Sequence, residues 1–187
     1  MPVWPVPLSP TGAPPVISSK YGPRETKYHY GADIMWKRPS RGTASLPEYS
    51  AGYWLKDGTQ ALAFADGVVT AADTKGKPYR VRIDHGNGLE SQYIHLFSLK
   101  VRKGQRVREG QAIGAIGHNP DGYKLNHLHF EIIFRGDKIN PASMLAKSAA
   151  VDAPTGTWLK VLGIGLPVVA IGIGVWMWRG RRTGLGR

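Results

Sequence analysis

Leu125-Asn126-His127-Leu128-His129-Phe130-Glu131 is the stretch whose reading decides the fold of this chain. Apolar and polar residues alternate through it, and Ile132, Ile133 and Phe134 carry the apolar run on, so a β-strand is expected. Side chains two apart on a strand point to one face. His127 and His129 therefore converge on one side, and Leu128 and Phe130 face a core on the other. Two imidazoles on one face suit a metal ion, or one ligand beside one acid/base. The pair equally suits two hydrogen-bonded histidines on a half-exposed strand. Glu131 is expected either as an acceptor behind these rings or, more simply, as a strand-edge charge.

Upstream, His29-Tyr30-Gly31-Ala32-Asp33 sets an imidazole and a carboxylate four residues apart around a glycine. In an extended segment these positions share a face, and Gly31 permits close backbone approach. Nitrogen from His29, oxygen from Asp33 and nitrogen from one histidine of the pair make three protein ligands. A fourth tetrahedral position is then left for water, as in a catalytic zinc site. Tyr93-Ile94-His95-Leu96 adds another imidazole in a strand-like run. The chain has no cysteine, so any zinc must be held by imidazole and carboxylate.

These pieces, in this order, resemble the lysostaphin/LytM-type zinc metallopeptidases, whose members cut peptide bonds in bacterial peptidoglycan. The resemblance runs over about residues 18–142. It takes in Ser19-Lys20-Tyr21-Gly22-Pro23-Arg24, the His29–Ile34 element and Ala65-Asp66-Gly67-Val68-Val69. Asp84-His85-Gly86-Asn87-Gly88-Leu89, Tyr93–Leu96, Val107–Gly114 and the His-Leu-His-Phe-Glu element follow. It implies zinc as cofactor, with His29, Asp33 and His129 as ligands. His127 matches the catalytic histidine of the H-x-H element, expected as general base, and His95 the second catalytic histidine, expected at the oxyanion. Degenerate members usually lack a ligand, whereas all five positions are filled here. His85 and His118 match no role and are expected as surface turn residues. One departure concerns the loop into the site: where the family commonly has Ser/Thr-Gly-Pro, this chain has Gly122-Tyr123-Lys124-Leu125-Asn126. The resemblance leaves open whether the bond cut is D-Ala to meso-diaminopimelate or Gly-Gly.

The organisation around these motifs follows from composition. With 24 glycines and 14 prolines in 187 residues, and glycine turns between short apolar segments from Gly58 to Ile139, the chain reads as mainly β. An antiparallel sheet or sandwich of hairpin-linked strands is expected. Residues 1–17 are expected to form a proline-rich arm, 18–142 the peptidase domain and 143–157 a linker. An insertion at about 37–57 carries Tyr49, Tyr53 and Trp54, and reads either as a groove wall or as a loop packed on its own aromatics.

Val161–Trp178 holds no charged residue, and Trp158, Trp176 and Trp178 flank it. At about 1.5 Å per residue this run nearly crosses a hydrocarbon core of about 30 Å. A transmembrane helix over 158–178 and a basic tail over 179–187 are expected. Arg179, Arg181 and Arg182 place the tail in the cytoplasm and the domain on the wall-facing side. Residues 1–17 lack the plan of a secretory signal, which makes a membrane-containing bacteriophage one expected source. Expected partners are peptidoglycan peptide, membrane lipid and virion or envelope proteins. The net charge of +12 is dispersed, so nucleic-acid binding is not expected.

Overall fold

The computed structural model describes residues 2–37, 52–73, 79–117 and 126–152. The expected transmembrane helix and basic tail, most of the insertion, His118 and the loop leading to His127 lie outside them. Among the described residues no helix is long and apolar enough to cross a membrane.

The described chain runs β1 (Pro15–Ser19), β2 (Gly22–Pro23), β3 (Tyr28–His29), β4 (Ala32–Lys37), β5 (Tyr53–Trp54) and β6 (Gln60–Leu62). It continues with β7 (Gly67–Asp73), β8 (Tyr79–Asp84), β9 (Leu89–Leu99), β10 (Arg106–Val107), β11 (Ala112–Ile116), β12 (Leu128–Phe134) and β13 (Asp137–Ile139). A single helical turn, α1 (Ala142–Leu145), follows. All strand pairings are antiparallel. Eleven strands form one branched sheet along β1-β4-β12-β9-β8-β7-β10, and β2-β3 is a separate ribbon. The mainly β, hairpin-linked expectation holds. The described strands are joined edge to edge in that one branched sheet, with no second large sheet among them.

β12 lies inside the sheet, between β4 and β9. Leu128, Phe130 and Ile132 on one face are fully buried, each contributing roughly 1.5–3 kcal/mol by leaving water. Phe130 packs against Tyr93 and Phe64 with ring centroids 5.3 and 5.7 Å apart. The opposite face carries His129 and Glu131. The turn into β13 is Arg135-Gly136, both at positive φ, the two-residue hairpin geometry that matches strand twist.

Three stretches outside the main run of strands can be placed. The proline-rich N-terminal arm packs onto the domain: Val3 and Val6 are core residues. The Val3 amide donates to Phe64 O, Leu62 donates to Pro5 O and Trp36 Nε1 donates to Pro7 O. Proline lacks an N–H but keeps its carbonyl, so Pro5 and Pro7 take part as acceptors while Val3 donates. The stretch taken as a linker begins with α1 and then pairs with the N-terminal segment, Trp4 donating to Ala149 O and Leu8 to Val151 O. Of the insertion, residues 37 and 52–57 are described; Trp54 packs on Trp36 at 4.9 Å, through the pairing of β5 with β4.

His85 is likewise no ordinary surface residue. Its Nδ1 lies 2.8 Å from Asp66 O and its Nε2 2.7 Å from Ser91 Oγ. Ser91 Oγ is 3.0 Å from the buried Tyr93 hydroxyl, which accepts from the Phe64 amide at 2.8 Å. This run of hydrogen bonds gives His85, Ser91 and the Tyr93 hydroxyl partners, and it fixes Tyr93 on β9. Tyr93→Phe keeps the ring but leaves the Phe64 amide without its acceptor. A loss of about 1–3 kcal/mol is expected by chemical denaturation, with the fold retained by circular dichroism.

Candidate metal centre

The site is assembled where β3, β4, β9 and β12 meet. Asp33 lies directly across from His129 in the β4-β12 register, and His129 lies across from Ile94 of β9. His29 closes the group from β3, one short turn ahead of β4. Gly31 makes that closure possible. A Cβ there would stand 2.6 Å from Phe130 O and 2.7 Å from His129 Nε2, so no larger residue fits.

His29 Nε2, Asp33 Oδ1 and His129 Nδ1 form a triangle with every edge 3.0 Å. The other nitrogen of each ring is committed elsewhere. His29 Nδ1 donates to Lys20 O at 2.7 Å, and His129 Nε2 faces Glu131 Oε1 at 3.2 Å. Both histidines therefore turn lone pairs toward the carboxylate oxygen. One proton can bridge two of these three atoms, never all three; a divalent cation satisfies all of them. Donors about 2.0–2.2 Å from a tetrahedral zinc lie roughly 3.4 Å apart, close to the spacing here. The donor set, two nitrogens and one oxygen, fits zinc.

Electrostatics follow the same geometry. Burial pushes the Asp33 carboxyl up, but the contact with His129 and the charges of His127, His29 and His129 outweigh it, so it stays ionised below the usual carboxylate range. Its second oxygen, Oδ2, accepts from Arg24 Nη2 at 3.2 Å. Burial pushes the His129 imidazole down, yet Asp33 and Glu131, one on each ring nitrogen, hold it above its ordinary value. Glu131 is the residue whose simpler reading fails. It is interior and 3% exposed, held by Gln92 Nε2 at 2.7 Å and Lys138 Nζ at 2.9 Å. Burial raises its carboxyl, and bonds to His129 and Lys138 more than reverse that. It orients His129 from behind, as carboxylates commonly do behind metal-bound histidines.

His95 and His127 complete the group, their ring centroids 4.6 Å apart. His127 Nε2 is 3.8 Å from Asp33 Oδ1, and the His95 ring is 6.0 Å from that of His129. His95 reaches this position through a break in β9. Strict alternation would turn it the same way as Tyr93, into the core. Val81 pairs with Tyr93, but Tyr79 pairs with Leu96, so β9 holds one extra residue there. His95 takes φ +68° in that bulge, a left-handed conformation that histidine tolerates better than most residues. Tyr93 and Leu96 point into the core and His95 into the cleft. All five expected residues thus line one cleft of about 230 Å³, together with Arg24, Lys27, Tyr28, Tyr30, Ile94 and Glu131.

With this geometry in place, comparison with known proteins is informative. A model of Peptidase family M23 matches residues 49–141. Residues 49–141 are therefore similar to M23 peptidase domains. The matched stretch includes His95, His127 and His129, while His29 and Asp33 precede it and join it through the β4-β12 pairing. The chain is 38% identical over 97 residues to peptidoglycan DD-endopeptidase ShyA of Vibrio cholerae, covering 50% of this chain and 22% of that one. It is 34% identical over 90 residues to murein hydrolase activator NlpD of Escherichia coli, covering 47% and 23%. The chain therefore spans about a fifth of the length of these curated relatives. The catalytic domain of lysostaphin from Staphylococcus simulans superposes with a TM-score of 0.52 at 23% identity, over 70% of this chain and 92% of that one. That likeness carries the fold. The curated relatives matched thus include both a peptidoglycan endopeptidase and a murein hydrolase activator, each over about half of this chain.

Two expectations follow for this domain. Glu131→Gln should weaken zinc affinity by about 10–100-fold in a competitive chelator titration, the fold being retained. Burial, then the charges of His127 and His129, push the His95 imidazole down to about 4, against about 6.5 when unfolded. Below about pH 6.5 the unfolded chain takes up a proton here that the folded chain refuses. Stability is therefore complete above about 6.5 and falls as pH drops toward about 4. Denaturation in chelator at about pH 7 and about pH 5 should show a smaller loss for His95→Gln than for the parent.

Proposed function

We propose that this chain is a zinc endopeptidase that hydrolyses peptide cross-links of bacterial peptidoglycan. The observation that carries the reading is the triangle of two imidazole nitrogens and one carboxylate oxygen, with two further imidazoles turned into the same cleft. Bound there, zinc supplies a Lewis acid that polarises a carbonyl and brings a water pKa toward about 7. His29, Asp33 and His129 hold the ion; Lys20 O and Glu131 fix the two rings. His127, at the mouth of the triangle, accepts the proton of the attacking water as general base. His95, neutral in its buried position, donates its N–H to the developing oxyanion, and His127 returns a proton to the leaving amine.

A second reading has its own support in the 34% identity to a murein hydrolase activator: a wall-binding, activating or virion-structural module that cuts nothing. The filled set of five positions favours catalysis. Membrane anchoring through residues 158–178, with the domain on the wall-facing side of a bacterial or virion membrane, belongs to the same proposal. It is supported by the uncharged run, its flanking tryptophans and the arginines that follow.

Metal analysis and amine release from purified peptidoglycan test the roles on the full chain in detergent. The parent should carry about one zinc and release peptide amines. His129→Ala should lose the metal. His127→Ala should keep it and lose about 10²–10⁴-fold in rate. A zinc-loaded parent that releases nothing from either diaminopimelate-type or glycine-bridged wall hands the site to the activator reading.

A further inference from the structure

The rim of the cleft carries two exposed rings and one cation for which the metal site has no use. Tyr28 and Tyr30 are 42% and 50% exposed, in a protein whose other large side chains are mostly covered. With Tyr21 they form a row, centroids 5.3 and 4.9 Å apart. The row is braced at both ends: the Tyr21 hydroxyl donates to Lys138 O at 2.9 Å, and Lys138 Nζ lies 5.2 Å from the Tyr30 ring centre. Rings held rigidly and left bare beside a site are contact surface for a ligand.

Charge says which ligand. Each carboxylate of the cleft already has a cation, Arg24 on Asp33 at 3.2 Å and Lys138 on Glu131 at 2.9 Å. Lys27 lines the same cleft, is exposed, and makes no ion pair among the described residues. It is not loosely placed: the Arg24 amide donates to Lys27 O at 2.9 Å, closing the turn that leads straight into Tyr28 and His29. The cleft therefore presents surplus positive charge beside a tyrosine row, two residues from a metal ligand.

We propose that Lys27, with Tyr28 and Tyr30, forms a subsite for a free carboxylate of the peptide being cut, so that the substrate is an acidic cross-linked stem peptide and not an uncharged glycine bridge. The proposal rests on the peptidase reading and names its substrate class. In a D-Ala to meso-diaminopimelate link, the carbon bearing the scissile nitrogen also bears a carboxylate. A cation beside the metal centre meets that group, and the aliphatic diaminopimelate chain lies along the tyrosine faces. A glycine bridge offers neither a carboxylate beside the scissile nitrogen nor the apolar chain.

Three soluble probes test it on the full zinc-loaded chain: a D-Ala–meso-diaminopimelate cross-linked dimer, the same dimer with that carboxylate amidated, and pentaglycine amide, which has no carboxylate. Hydrolysis is followed by amine release, and binding by calorimetry on His127→Ala. The acidic dimer should be bound and cleaved about three- to fivefold better than the amidated one, the range of a solvent-exposed ion pair. Lys27→Gln should bring that ratio close to one, and Lys27→Arg should restore it. A ratio of one in the parent, a ratio unchanged by Lys27→Gln, or a preference for pentaglycine amide overturns the subsite and leaves the peptidase standing. Absence of cleavage with a Lys27-dependent binding preference does the reverse. Neither binding nor cleavage of any probe overturns both.

Discussion

Three electron-rich atoms held 3.0 Å apart, with no single proton able to serve all of them, set the terms for the rest of this structure. Such a cluster repels itself unless a cation sits within it, so the fold must brace each member from behind. His29 is braced by the Lys20 carbonyl, Asp33 by Arg24, and His129 by Glu131. Glu131 is itself held by Gln92 and Lys138. The bracing groups come from five separate positions in the chain. Preorganisation of this kind lowers the ordering cost of metal binding, because the rings need not find their orientation when the ion arrives.

The same strands that build the site also build the core, and one strand cannot serve both by alternation alone. β12 manages it simply, with Leu128, Phe130 and Ile132 inward and His129 and Glu131 outward. β9 does not. Its Tyr93 must stay inside to complete the chain from His85 through Ser91 to the Phe64 amide. One extra residue resolves the conflict by turning His95 outward at the cost of a left-handed backbone. Strain at a functional position, held by a well-packed neighbour, is the usual form such a compromise takes.

Electrostatically the cleft divides into charges that are used and one that is not. The carboxylates that shape the metal centre are neutralised locally, so the net charge of +12 acts mainly on what approaches from outside. An acidic wall peptide is drawn to such a surface. In the proposed subsite the tyrosine row then gives such a peptide a surface to lie on.

Much of this was legible in residues alone. The 2-residue period of β12 determines that His127 and His129 share a face and that Leu128 and Phe130 oppose it. The spacing of His29 and Asp33 around Gly31, and the absence of cysteine, determine a nitrogen–oxygen donor set. The glycine turns determine a hairpin-rich sheet. Other features depend on long-range register, which no local pattern carries. Glu131 looks like an edge charge until β4 and β9 are seen to flank its strand. His85 looks like a turn residue until Ser91 and Asp66 meet its two nitrogens. The first residues look like a loose arm because prolines cannot donate, yet their carbonyls accept from Leu62 and Trp36 across the fold. His95 reaches the site only because pairing with β8 forces an extra residue into β9. Sequence determined which atoms could bind a metal; tertiary structure alone decided which of them meet, since the contacts that orient them join positions up to 100 residues apart.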